Sequence, residues 1–138
     1  MADGLRTPHD EQNTHRCRRV PEPPPGTFSN AFVIDRTIYV SGQTAGLADG
    51  TVAGEGDVRA QASQAFDNIR RLLDAAGATM ADVVKLTVYL TEMSTRAQFS
   101  EARRAFFSGD FPCSTLVEVS ALAQPGFLVE IEAIAVLG

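Results

Sequence analysis

Two apolar runs at the C-terminal end, residues 111–122 and 126–136, carry carboxylates where strands normally exclude them. Phe111-Pro-Cys-Ser-Thr-Leu-Val-Glu-Val-Ser-Ala-Leu122 contains Glu118, and Gly126-Phe-Leu-Val-Glu-Ile-Glu-Ala-Ile-Ala-Val136 contains Glu130 and Glu132. Both runs are rich in Val, Ile and Leu, so both read as strands. An unpaired carboxylate is costly to bury. A cation, a hydrogen-bond donor, a subunit partner or a ligand must offset that cost, and the rest of the chain reads as a scaffold that sets these strands beside a cleft.

Residues 1–25 are polar and end in Pro21, Pro23, Pro24 and Pro25. They read as an N-terminal arm, partly disordered or packed on a neighbour. A single domain is expected over residues 26–138. Within it, Phe28 to Ile34 and Ile38 to Gln43 are strand candidates around an Asp35-Arg-Thr turn. The glycine-rich stretch 44–56 reads as a loop, with room for a short strand near Val52; its spacing is not that of a phosphate cradle. Residues 57–76 form the firmest helix. Its apolar face is Val58, Ala62, Ala65, Phe66, Ile69, Leu72 and Leu73, with Asp57 as N-cap and Gly77 as terminator. Gln61, Gln64, Asp67 and Arg70 are assigned to its solvent faces. Val84 to Thr91 alternates as a strand, with Leu86, Val88 and Leu90 on one side and Lys85, Thr87 and Tyr89 on the other. Ser94 is the expected cap of a second helix, 95–107.

The order strand, strand, (strand), helix, strand, helix, strand, strand implies an α+β domain. Two helices cover one face of its sheet, yet the C-terminal strands look apolar on both faces. Val117, Val119, Val129 and Ile131 share one parity, and Leu116, Ile134 and Val136 the other. A sheet with one solvated face would alternate more cleanly. The second face is therefore expected to be buried by further copies of the chain.

The chemistry candidates are few. Glu130, among apolar neighbours, suits general acid–base work; a structural ion pair or hydrogen bond reads the same signal differently. Cys113, Ser114 and Thr115 lack an activating histidine, because His9 and His15 both lie in the arm. Cys113 is expected to be a buried thiol, and Lys85 a solvated or subunit-bridging lysine. Gly42, in Ser41-Gly-Gln43, would let a ligand approach the backbone or would mark a bend. No metal is expected, because no His, Cys or Glu group has ligand spacing. A net charge of −5 argues against nucleic acid as a partner. No apolar run is long enough for a membrane span, and the N-terminus has no signal-peptide core, so the cytoplasm is the default location.

Several segments taken together resemble the RidA (YjgF) family. They are Val40-Ser-Gly-Gln43, the helix from Gln61 through Asn68 and Leu73 to Ala78, Asp82-Val-Val-Lys85 with Thr87-Val-Tyr-Leu90, Ala105-Phe-Phe107 and Val129-Glu-Ile-Glu-Ala-Ile-Ala135. The resemblance spans residues 26 to 137. It implies a chorismate-mutase-like mixed sheet with two helices on one face, and a homotrimer whose sheets face inward around inter-subunit clefts. It implies hydrolysis of small enamines and imines, such as 2-aminoacrylate and its imine tautomer, to a 2-keto acid and ammonia, with no cofactor. Ribonuclease activity, also attached to the family name, is disfavoured by the acidic charge and the lack of domain histidines. Glu130 takes the place of the family's strand glutamate, and Ser41 and Gly42 match its Ser-Gly. The match fails at the family's carboxylate-binding arginine, where this chain has Ser114. Phe28 stands for a common tyrosine, Ser100 for an asparagine and Leu116 for a cysteine. Thr115 and the Ser41-Gly42 backbone are left to hold a polar group of the substrate. The expectation is a deaminase-like hydrolase working on a pathway-specific substrate rather than 2-aminoacrylate. The alternative is a non-catalytic metabolite-binding or regulatory trimer using the same cleft.

Overall fold

The computed structural model describes residue 17 and residues 19–138. The strands are β1 (Ala31–Ile34), β2 (Thr37–Gln43), β3 (Val83–Leu90), β4 (Cys113–Glu118) and β5 (Val129–Val136); the helices are α1 (Val58–Ala75) and α2 (Arg96–Arg104). The five strands form one sheet in the order β1-β2-β5-β3-β4. β5, last in the chain, inserts between β2 and β3 and runs antiparallel to both. β4 pairs with β3 in parallel and forms an edge. The expected mixed sheet with two helices on one face is what the chain adopts.

α1 forms for the expected reasons. Asp57 is extended, and its carboxylate accepts from the Ala60 N–H at 3.1 Å. The helix stops at Gly77, whose φ of +82° disfavours any residue with a Cβ. Its apolar stripe lies on β2 and β5, and Phe66, Ile69, Leu72 and Leu73 are inaccessible to solvent. Phe66 also centres an aromatic cluster with Phe99, Phe106 and Phe107, at centroid distances of 5.9, 5.2 and 5.7 Å. α2 ends at Arg104 rather than 107, but Phe106 and Phe107 still pack against the core.

Several expectations need correction. Gln61 is fully buried rather than solvated, and Asn68 is nearly so. The Gln61 amide donates to Gly126 O at 2.9 Å and accepts from the Leu128 N–H at 2.9 Å, clamping the loop that leads into β5. The Asn68 amide donates to Thr44 O and Gly46 O at 3.2 and 2.9 Å, fixing the loop after β2. Residues 61 and 68 are two turns apart on one helix face, and their polarity concealed that alignment. Ser94 does not cap α2. A short 3₁₀ turn, Met93–Thr95, precedes it, and the Met93 N–H is satisfied by Glu118 Oε1 at 2.9 Å. Cys113 is exposed rather than buried, because β4 is an edge strand.

The parity expected across the last two strands also changes. Leu116 registers with Val88 under the helices, whereas Val117 registers with Tyr89 on the opposite face. Val117 therefore joins Ile134 and Val136 on the face that no helix covers. Residues 1–16 and 18 of the expected arm lie outside the described residues. Ahead of the expected boundary at Gly26, Val20 is 1% exposed and belongs to the core, and the Arg71 guanidinium donates to Arg19 O at 2.9 Å.

Candidate functional site

Strand alternation puts Val129, Ile131, Ala133 and Ala135 of β5 under the helices, which turns Glu130 and Glu132 onto the open face. Tyr89 stands opposite Glu130 and Thr87 opposite Glu132 on β3. On the other side, β2 bulges. Val40 pairs with Ala133 and Gln43 with Ile131, so β2 carries one extra residue over this interval, at Ser41-Gly42.

That bulge brings the Gly42 backbone against Glu130. A Cβ at position 42 would overlap Glu130 Oε1 and come within 2.8 Å of its Cδ. Any larger residue here would displace the carboxylate from its place against the backbone. Removal from water raises the Glu130 pKa, and the nearby Glu132 charge raises it further. Glu132 accepts a long hydrogen bond from the Tyr89 hydroxyl at 3.4 Å. The Tyr89 phenol is pushed up by desolvation and then by Glu132.

The bulge is held by a polar network. Ser41 donates from its hydroxyl to Ser29 O at 2.5 Å and from its N–H to Asn30 O at 2.9 Å. The buried Gln43 amide donates to Ser41 O at 3.1 Å and to Asn30 Oδ1 at 3.3 Å. Asn30 in turn donates to Pro21 O at 2.8 Å, tying the proline segment to the end of β2. Asn30 and Gln43 escaped sequence reasoning; Gln43 adjoins Ser41-Gly42, but Asn30 is eleven residues ahead of Ser41 and meets it only through the pairing of β1 and β2.

Within one chain the candidate residues fall into separate groups. Glu130, Ser41 and Gly42 come together. Phe28, 58% exposed, and Gly42 line one cavity of about 230 Å³ beside the bulge. Thr115 lies on the open face of β4, where its hydroxyl accepts from Lys85 Nζ at 2.6 Å. Ser114 registers with Leu86, so it faces the helix side of the edge strand. Ser100 lies on α2, in the helix layer. Arg36, one cation that could have replaced the missing arginine, is committed to Leu137 O through Nε and Nη2, at 3.0 and 2.6 Å. Among the described residues, no group of three His, Cys, Asp or Glu side chains could hold a metal ion. No helix among them is long and apolar enough to cross a membrane.

Residues 20–137 match the family model described as endoribonuclease L-PSP. The chain belongs to the RidA (YjgF) family. Its relatives include proteins named 2-iminobutanoate/2-iminopropanoate deaminase from Rattus norvegicus, 39% identical over 113 residues, and from Bos taurus, 40% identical over 116 residues. Each match covers 82% of this chain and 82% of the relative. Among solved structures, RidA from the Antarctic bacterium Psychrobacter sp. PAMC 21119 superposes with a TM-score of 0.83 at 35% identity, covering 90% of this chain and 98% of that one. The YjgF gene product of E. coli superposes with a TM-score of 0.82 at 33% identity, covering 89% and 97%. The RidA fold assigned from motifs is therefore present over nearly all the described residues.

Proposed function

We propose that this RidA-family chain is a hydrolase of the enamine/imine deaminase type, acting in a homotrimer whose open sheet faces turn inward and whose clefts lie between subunits. One observation carries this reading: a half-buried carboxylate with a raised pKa, Glu130, is seated against the Gly42 backbone in the space a Cβ would fill. The names of the relatives support it.

In the reaction, ionised Glu130 takes a proton from water as the hydroxyl oxygen bonds to the imine carbon. The C=N electron pair moves to nitrogen, which gains a proton from solvent, giving a carbinolamine. Its hydroxyl proton then passes to solvent water, the C=O bond forms, and the C–N bond breaks as the nitrogen takes the proton held by Glu130. Water is consumed, and one carbonyl compound and one ammonia are released. Ser41, Gly42 and Thr115 are assigned to hold a polar group of the substrate, and Phe28, Ser100 and Ser114 to line the assembled cleft.

A second reading, a non-catalytic metabolite-binding or regulatory trimer, is favoured by Ser114. A serine cannot form the bidentate, charge-assisted contact that an arginine offers a carboxylate. Ammonia release over a panel of imines generated in situ separates the two readings. Turnover that disappears in Glu130→Ala at unchanged assembly size supports the hydrolase. Turnover that survives in Glu130→Ala removes Glu130 from the mechanism. A ligand-dependent melting shift without ammonia release favours the binding reading.

A further inference from the structure

The cavity that borders Gly42 has a chemical character of its own. Its walls are the Pro21–Pro24 segment, the loop after β2 and the loop before β5. Phe28, Leu47, Val52 and Phe127 give it an apolar lining. While Gln124 lines it from an exposed position, its buried amides are already engaged, Asn30 with Pro21 O and Gln43, and Asn68 with Thr44 O, Gly46 O and the Gln64 side chain. They hold the walls and leave few groups to solvate a charge inside. Among the described residues, the one ionisable group in the lining is Glu22, which is exposed, and no cation lines the cavity. A carboxylate entering it would lose hydration with no positive partner and would meet Glu22.

Gly42 lies in the wall of this cavity and also against the Glu130 carboxyl. Glu130 and this cavity therefore meet at the Gly42 backbone, which borders both. We infer that this recess is the substituent pocket of the Glu130 site and that it selects imines or enamines bearing an uncharged, apolar ring or branched chain over short imino carboxylates. The inference rests on the hydrolase reading above and adds its substrate class. Rejection of carboxylate agrees with Ser114 standing where the family resemblance implies arginine.

The test compares ammonia release from benzaldimine, made in situ from benzylamine by an amine oxidase, with release from 2-iminopropanoate, made from alanine by an amino-acid oxidase. Both are measured above the rate without protein. The wild type should favour benzaldimine in kcat/KM by about tenfold or more. Leu47→Trp, which fills the recess, should reduce that ratio about tenfold. Glu22→Lys, at an exposed position that carries no folding risk, should move the ratio toward 2-iminopropanoate. A wild-type preference for 2-iminopropanoate overturns the inference, as does a ratio untouched by both variants. Absence of ammonia release from either imine refutes the hydrolase reading instead. The recess is then judged by melting shifts with benzamide and propanoate. Stabilisation by benzamide alone, lost in Leu47→Trp, keeps the apolar pocket as a binding site; no shift with benzamide removes it.

Discussion

At the scale of single residues, Glu130 and Gly42 form one unit. The glutamate occupies the space that a side chain at residue 42 would fill, and burial with the Glu132 charge raises its pKa. This has a thermodynamic signature. In the unfolded chain Glu130 titrates at the ordinary glutamate value; in the folded chain it titrates higher. Between those values the folded state binds more protons, so stability falls as pH rises through that interval. Glu130→Gln should therefore melt at a higher temperature than the wild type at neutral pH, and the difference should shrink on acidification through the glutamate range. A constant difference at all pH values would show that Glu130 ionises in the fold as it does in the unfolded chain. The face on which Glu130 lies was legible from alternation alone. Its contact with Gly42 was not, because it depends on a bulge that pairs residues far apart in sequence. Glu118, a weaker candidate than Glu130 in sequence, is turned by its strand register to the helix side, where it satisfies the Met93 N–H.

At the scale of elements, the helices and strands with clear periodicity emerged as read: α1 with its Asp57 cap and Gly77 stop, and β3 with its buried Leu86, Val88 and Leu90. The topology did not emerge, since no local pattern announces that the last strand enters the middle of the sheet. Polar residues misled for a related reason. Gln61 was read as solvated because amides usually are, but its place on the α1 face sets it against the loop before β5, which needs both a donor and an acceptor. Gln61→Leu keeps the helix and removes both partners, leaving Gly126 O and the Leu128 N–H unpaired. The expected cost is about 1–3 kcal/mol in chemical denaturation. Limited proteolysis should also find the 124–128 loop more easily. A variant with wild-type stability would mean that the clamp contributes nothing.

At the scale of the whole molecule, the sheet face opposite the helices mixes function with unfinished packing. Tyr39, Ile34, Val117 and Val136 are 47, 45, 39 and 40% exposed there. They surround Lys85, Thr87, Tyr89, Glu130 and Glu132. An apolar surface of this kind, rimmed by polar groups, is characteristic of a buried interface, and it underlies the proposal of an inward-facing trimer. Val136→Asp should disperse the assembly in sedimentation velocity and lower turnover in proportion to the trimer lost. A variant that dissociates and keeps full turnover would place the working site inside a single chain.

The pH dependence of ammonia release by the assembled protein bears most directly on the role given to Glu130. On the best imine substrate, kcat/KM should fall at low pH with a midpoint above the ordinary glutamate value, because the base must be ionised. In Glu132→Gln that midpoint should move down, as one of the two causes of the raised pKa is gone, and Glu130→Gln should show no turnover at any pH. An acid limb unmoved by Glu132→Gln, together with turnover that persists in Glu130→Gln, would contradict the account and assign the chemistry to another group.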